Sequence, residues 1–65
     1  MTMQQELDSF REAWSIVVSK RAEAAAIDGG AYLLLDRIAE HLDGEIFDLR
    51  MQLNIAAYVQ AAFNE

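Results

Sequence analysis

The hydrophobic residues in the last third of the chain recur at spacings of three and four, which places them on one side of a helix. At 100° per residue they form a single apolar stripe, made of Phe47, Met51, Ile55, Tyr58, Val59 and Ala62. Leu53, Phe63 and further apolar residues widen this stripe to more than half of the circumference. A surface helix of a monomer shows an apolar stripe of about 100° or somewhat more. The pattern therefore predicts a helix with neighbours on more than one side.

The first third of the chain predicts another amphipathic helix, over residues 2–26. Its apolar seam alternates steps of four and three residues, through Met3, Leu7, Phe10, Trp14, Val17, Arg21 and Ala24. Thr2 precedes this seam and is a suitable N-cap. Ile16 lies on the opposite, polar side, and we expect it to be exposed.

The segment Ile27-Asp28-Gly29-Gly30 predicts the end of the first helix, because glycine loses the most backbone entropy in a helix and readily adopts positive φ. Asp28 is then the N-cap of a second helix, over residues 30–42. We expect this helix to bury Ala31, Leu34, Leu35, Ile38 and Leu42, with Tyr32 and Ala39 at the flanks.

Asp43 and Gly44 favour a second break and a third helix over residues 44–64, with Asp43 as its N-cap. The alternative is a kinked two-helix hairpin, because one stripe keeps its phase across Gly44: Leu35, Ile38, Leu42, Ile46, Leu49 and Leu53. A glycine inside a helix costs only about 1 kcal/mol relative to alanine. We predict a single all-α domain over residues 1–65 and prefer the three-helix arrangement, with the first and third helices antiparallel.

Chain length predicts a homodimer. Domains of 65 residues bury only about 60% of the surface that their unfolded chains expose, and often need a disulfide, a metal or a second subunit. The chain has no cysteine and one histidine, but it is 54% hydrophobic. We therefore expect a helical-bundle homodimer, whose interface residues are Phe47, Met51, Leu53, Ile55, Tyr58, Val59, Ala62 and Phe63.

The balance of charge makes nucleic acid and membranes unlikely partners. Eleven acidic and five basic residues give a net charge of -6, which repels phosphate backbones and anionic lipids. No stretch approaches the roughly 18 apolar residues of a membrane span, and no signal sequence is recognisable. We expect a cytoplasmic protein.

Acidic residues are concentrated in the middle of the chain, and we name this set the acidic cluster. Its members are Asp36, Glu40, Asp43, Glu45 and Asp48. Such a cluster is suited to binding a basic surface of a protein partner. The alternative is a solvated surface that keeps a hydrophobic small protein soluble.

Nothing in the sequence predicts catalysis, a cofactor or a metal site. His41 has Arg37 and Glu45 one turn away on either side, but a zinc site needs at least three protein ligands, and there is no other histidine or cysteine. The serines and glycines match no nucleophile or phosphate-binding motif. We therefore do not expect an enzyme.

The sequence favours a small, acidic protein-protein interaction module that acts as an adaptor, inhibitor or regulator. The alternative is a nucleic-acid-binding regulator, in which dimer symmetry brings together Lys20, Arg21, Arg37 and Arg50. A helix-turn-helix is not favoured, because the candidate recognition helix begins with Glu45 and Asp48.

Overall fold

The computed structural model describes residues 1–64 and consists of two α-helices that pack against each other. Helix α1 spans Met3–Ala25 and helix α2 spans Gly29–Phe63. They form an antiparallel hairpin about 57 Å long and only 16 × 14 Å across. The prediction of an all-helical chain is confirmed.

The preferred three-helix arrangement is wrong, because Gly44 lies inside one continuous helix. The helices predicted over residues 30–42 and 44–64 are both parts of α2. No residue in the described chain, glycines included, has a positive φ, so Gly44 makes no use of glycine's conformational freedom. One glycine inside a helix costs about 1 kcal/mol of stability relative to alanine. The apolar residues before and after Gly44 pack against α1, and this packing offsets the cost.

Replacement of Gly44 by alanine should stabilise the protein by about 0.5–1 kcal/mol, since alanine restricts the unfolded chain and favours the helix. A Cβ at this position meets nothing within 4 Å, so no clash opposes the gain. Chemical denaturation followed by circular dichroism at fixed protein concentration measures the change. Gly29→Ala, at the first residue of α2, is the control and should have a smaller effect. A destabilised Gly44→Ala variant would mean that the helix breaks here in solution.

The N-terminus of α1 has the predicted cap. The Thr2 hydroxyl accepts a hydrogen bond from the Gln5 backbone N–H at 3.1 Å, and the Gln5 side chain accepts one from the Thr2 N–H at 2.9 Å. This reciprocal capping box satisfies two donors that the helix itself leaves unpaired.

The turn between the helices depends on Asp28. Its backbone is extended (φ −152°, ψ 97°), and its carboxylate accepts hydrogen bonds from the N–H groups of Gly30 and Ala31 at 3.1 and 3.2 Å. Asp28 is therefore the N-cap of α2, as predicted. The expectation that Gly29 and Gly30 end α1 by adopting positive φ is wrong, because both lie within the first turn of α2 and have negative φ.

The core is a narrow seam along the length of the hairpin. The α1 seam is confirmed from Leu7 onwards: Leu7 and Ala24 are buried, and the four residues between them on the seam are half-buried. Met3, the first residue of the predicted seam, is exposed. On α2 the inward residues also alternate steps of four and three, through Leu35, Ala39, Leu42, Ile46, Leu49 and Leu53. Leu34 and Ile38, predicted to be buried, are exposed, because α2 is rotated so that Ala39 faces α1.

Helix α2 is longer than α1 and extends past its beginning. Both helices rise about 1.5 Å per residue, and Arg21 lies level with Asp36, to which it is ion-paired. Eighteen residues before Arg21 is Met3, where α1 begins, and eighteen residues after Asp36 is Asn54. The rest of α2 therefore has no α1 beside it and is exposed throughout. We call residues 55–63 the C-terminal overhang.

Candidate functional site

The main candidate site is an exposed apolar surface on the side of α2 that faces away from α1. It extends from the middle of the helix along the overhang, and we name it the outer apolar face. Its large members are all exposed: Phe47, Met51, Ile55, Tyr58, Val59 and Phe63. Ala62 lies among them and is also exposed. This surface contains seven of the eight residues that the sequence predicted for a dimer interface.

Leu53 is the eighth residue, and the structure places it elsewhere. It is half-buried on the α1-facing seam. At 100° per residue, Leu53 projects about 160° around α2 from Ile55. Leu53 therefore contributes to the hairpin core, and the predicted set is divided between two sides of the helix.

The acidic cluster is divided by the continuity of α2. Asp36, Glu40 and Asp43 project within about 60° of one another on a helix of 100° per residue. Glu45 projects about 140–180° around the helix from these three residues, and Asp48 projects about 80–140° from them. The five carboxylates thus occupy one helix but do not form a single face.

Two members of the acidic cluster have partners within the chain. Asp36 accepts a hydrogen bond from the Arg21 guanidinium at 2.8 Å, in a half-buried ion pair that joins the two helices. A Glu45 oxygen lies 4.0 Å from Nε2 of His41, which is largely exposed. Glu40, Asp43 and Asp48 are exposed and are the members most accessible to another molecule.

A groove beside Trp14 was not anticipated from the sequence. It has a volume of about 490 Å³ and is lined by Arg11, Glu12, Trp14, Ser15, Asp43 and Ile46. The indole N–H of Trp14 is buried and has no hydrogen-bond partner among the described residues. Trp14 is half-buried, as expected for a residue on the α1 seam. The periodicity of the sequence gave no sign that its indole N–H would lack a hydrogen-bond partner.

A second exposed apolar area lies near the turn of the hairpin. It contains Ile27, Leu33, Leu34 and Ile38, all exposed. Leu34 and Ile38 were predicted to be buried, because the apolar face of a separate helix over residues 30–42 is centred on them. The stripe that continues across Gly44 has the correct phase from Leu42 to Leu53, but before Leu42 the inward residue is Ala39 and not Ile38.

The basic residues of the alternative hypothesis are partly neutralised. Lys20 lies 3.5 Å from Glu23 in an exposed ion pair, and Arg21 is paired with Asp36. Across residues 1–64, no three carboxylate or imidazole groups lie close enough together to hold a metal ion. Neither helix, over the same residues, has the length of apolar sequence that crossing a membrane requires.

Comparisons with models of protein families, with curated proteins and with solved structures found no match to this chain. Functional inference therefore starts from the surfaces described above.

Proposed function

We propose that this chain is a small protein-protein interaction module that works as a homodimer and presents acidic helical surfaces to another protein, as an adaptor, inhibitor or regulator. The observation that supports the proposal is the outer apolar face. Monomeric soluble proteins rarely expose contiguous apolar surface beyond a few hundred Å², and larger exposed surfaces are typical of interaction sites.

The small core of the hairpin also supports a second subunit. Only five hydrophobic residues are buried among residues 1–64, and two of these are alanines: Leu7, Ala24, Ala39, Leu42 and Leu49. Two helices of this size have little apolar surface to bury against each other, and small domains commonly gain stability from oligomerisation. Association through α2 supplies the contacts that one hairpin lacks.

Sedimentation equilibrium of the wild-type protein tests the dimer. We expect a mass of twice the chain's 7.3 kDa at micromolar concentration, with dissociation on dilution and a melting temperature that rises with protein concentration. A folded monomer with the same helicity at every concentration would overturn the proposed dimer.

The partner surface is tested separately by charge reversal. In affinity capture from the native host, Glu40→Lys together with Asp43→Lys should abolish recovery of a basic partner. Asp8→Lys together with Glu23→Lys is the matched control, because these residues are exposed on α1, lie outside the groove that Asp43 lines and change the net charge equally. Equal recovery by both variants would mean that the acidic cluster only keeps the protein soluble.

Nucleic-acid binding remains the alternative hypothesis and has less support. Two of its four proposed basic residues, Lys20 and Arg21, are ion-paired within the chain. An affinity that falls steeply with salt would support it, because binding to phosphates releases counterions. The absence of binding at low salt would remove it.

A further inference from the structure

We infer that the partner on the outer apolar face is a second copy of this chain in antiparallel orientation, related by a twofold axis that passes beside Ile55. This inference rests on the proposed homodimer and specifies its geometry. The hairpin bodies then point in opposite directions, and the C-terminal overhang of each copy lies along the α2 helix of the other.

The spacing and size of the exposed residues support an antiparallel pairing. Five large apolar side chains follow one another at intervals of four residues: Phe47, Met51, Ile55, Val59 and Phe63. The pattern has a phenylalanine eight positions from Ile55 on each side, and an aliphatic residue, Met51 or Val59, four positions away on each side. In a twofold contact the same surface must complement itself. Antiparallel packing about Ile55 meets that requirement, since Met51 lies level with Val59 of the other copy, and Phe47 lies level with its Phe63 on the opposite margin of the contact.

The exposed area is sufficient for a stable dimer. Phe47, Tyr58 and Phe63 are 63%, 77% and 85% exposed. Since an aromatic side chain buries roughly 150–250 Å² when it is covered, these three alone offer about 350–550 Å² per copy. Met51, Ile55 and Val59 add to this surface. Stable interfaces bury roughly 600–1,000 Å² per partner, so the outer apolar face reaches this range when nearly all of it is covered.

Charge distinguishes the antiparallel from the parallel orientation. The side of α2 that bears the outer apolar face also carries Arg37, Glu40 and Asp48. Asp48 projects only about 20° from Ile55 at 100° per residue, so in the antiparallel dimer it lies level with Ala62 of the other copy and about 21 Å from its own copy along the helices. A parallel dimer along α2 places each of these three charged residues against its own copy and brings two chains of net charge -6 side by side. In the antiparallel dimer Glu40 lies 15 residues from the axis, so the two copies of Glu40 are about 45 Å apart along the helices. That separation exceeds the Debye length of about 8 Å at physiological salt, and repulsion is screened.

Cysteine cross-linking tests the orientation, because the chain has no cysteine of its own. Positions 51 and 59 are four residues from the axis at Ile55 and lie level with each other in the antiparallel dimer. They are preferable to positions 47 and 63, which project about 80° to either side of Ile55 on a helix of 100° per residue. The variants are Met51→Cys and Val59→Cys, each exposed in the single hairpin, so helicity should be retained. Ser19→Cys, exposed on the outer side of α1, reports random collision.

We expect disulfide-linked dimers when Met51→Cys and Val59→Cys are mixed, and little disulfide formation in either variant alone. The mixed pair should oxidise at least about tenfold faster than Ser19→Cys, because an interface holds two thiols at an effective concentration in the millimolar range. Solution scattering of the wild type should give a particle longer than the 57 Å hairpin.

The outcomes distinguish this inference from the proposed function. Rapid cross-linking of Met51→Cys with itself, in a particle no longer than one hairpin, would mean a parallel dimer and would overturn the antiparallel geometry alone. A monomer by sedimentation, with collision-level cross-linking in every mixture, would overturn both.

Discussion

Replacing Ile55 with aspartate should convert the dimer into folded monomers. Ile55 is 58% exposed in the single hairpin, so it contributes little to the stability of that hairpin. In the proposed dimer it lies on the twofold axis, where the substitution removes two isoleucines and places two carboxylates together away from water. We expect the dissociation constant to rise by about a thousandfold or more, which corresponds to about 4 kcal/mol. Sedimentation equilibrium measures this change.

Gln60→Glu is the matched control for Ile55→Asp. It adds the same negative charge to the same exposed overhang with almost no change in shape. Its side chain projects about 140° around α2 from Ile55 on a helix of 100° per residue. The control should leave the dissociation constant within about threefold of the wild type, because exposed charges interact weakly at physiological ionic strength. Equal dissociation in both variants would mean that net charge, and not the outer apolar face, controls association.

Leu42→Ala should strongly destabilise the protein. Leu42 is only 8% exposed and lies at the centre of the seam between α1 and α2. A buried leucine replaced by alanine costs about 2–5 kcal/mol, because apolar contacts are lost and a cavity remains. Since small domains lose about 4–8 °C of melting temperature per kcal/mol, we expect a decrease of about 10 °C or more. Thermal unfolding by circular dichroism at fixed protein concentration gives this value.

Leu34→Ala makes the same chemical change on the same helix at a residue that is 62% exposed. Its free energy of unfolding should stay within about 0.5 kcal/mol of that of the wild type, as for most surface substitutions. If both variants were destabilised equally, Leu34 would be buried in solution, which is the helix rotation that the three-helix prediction implied.

The local features of the fold were predictable from the sequence because they depend on residues close to one another in the chain. Thr2 and Asp28 cap the helices that were assigned to them, and each cap needs only backbone N–H groups two or three residues away. The α1 seam was predictable for a similar reason, since one clear heptad-like pattern fixes which side of a helix is buried.

The continuity of α2 was not predictable from local signals. Asp43 followed by Gly44 is a good helix start, and the same signal at Asp28 does begin a helix. The difference lies in the long-range packing. Leu42 and Leu49 are buried against α1 on the two sides of Gly44, and this packing offsets the cost of about 1 kcal/mol for one glycine.

The candidate site was predicted in composition but not in arrangement. The sequence identified an excess of apolar surface on the last part of α2, and seven of the eight chosen residues do lie on its exposed side. The assignment of Leu53 required the position of α1, which begins level with Asn54 and covers only the residues of α2 before it. The acidic cluster was predicted as one surface, but on the uninterrupted helix Glu45 projects 140° or more from the three earlier carboxylates and Asp48 projects 80° or more from them.

The sequence by itself determined that the chain is helical, where its helices are capped, and that α2 has more apolar residues than one partner helix can cover. These are consequences of local hydrogen bonding and of periodicity. Only the tertiary structure decided that α2 continues through Gly44, which side of α2 is covered by α1, and how far along α2 that cover extends. Those properties depend on the free energy of packing between residues distant in the chain, which local propensities do not contain.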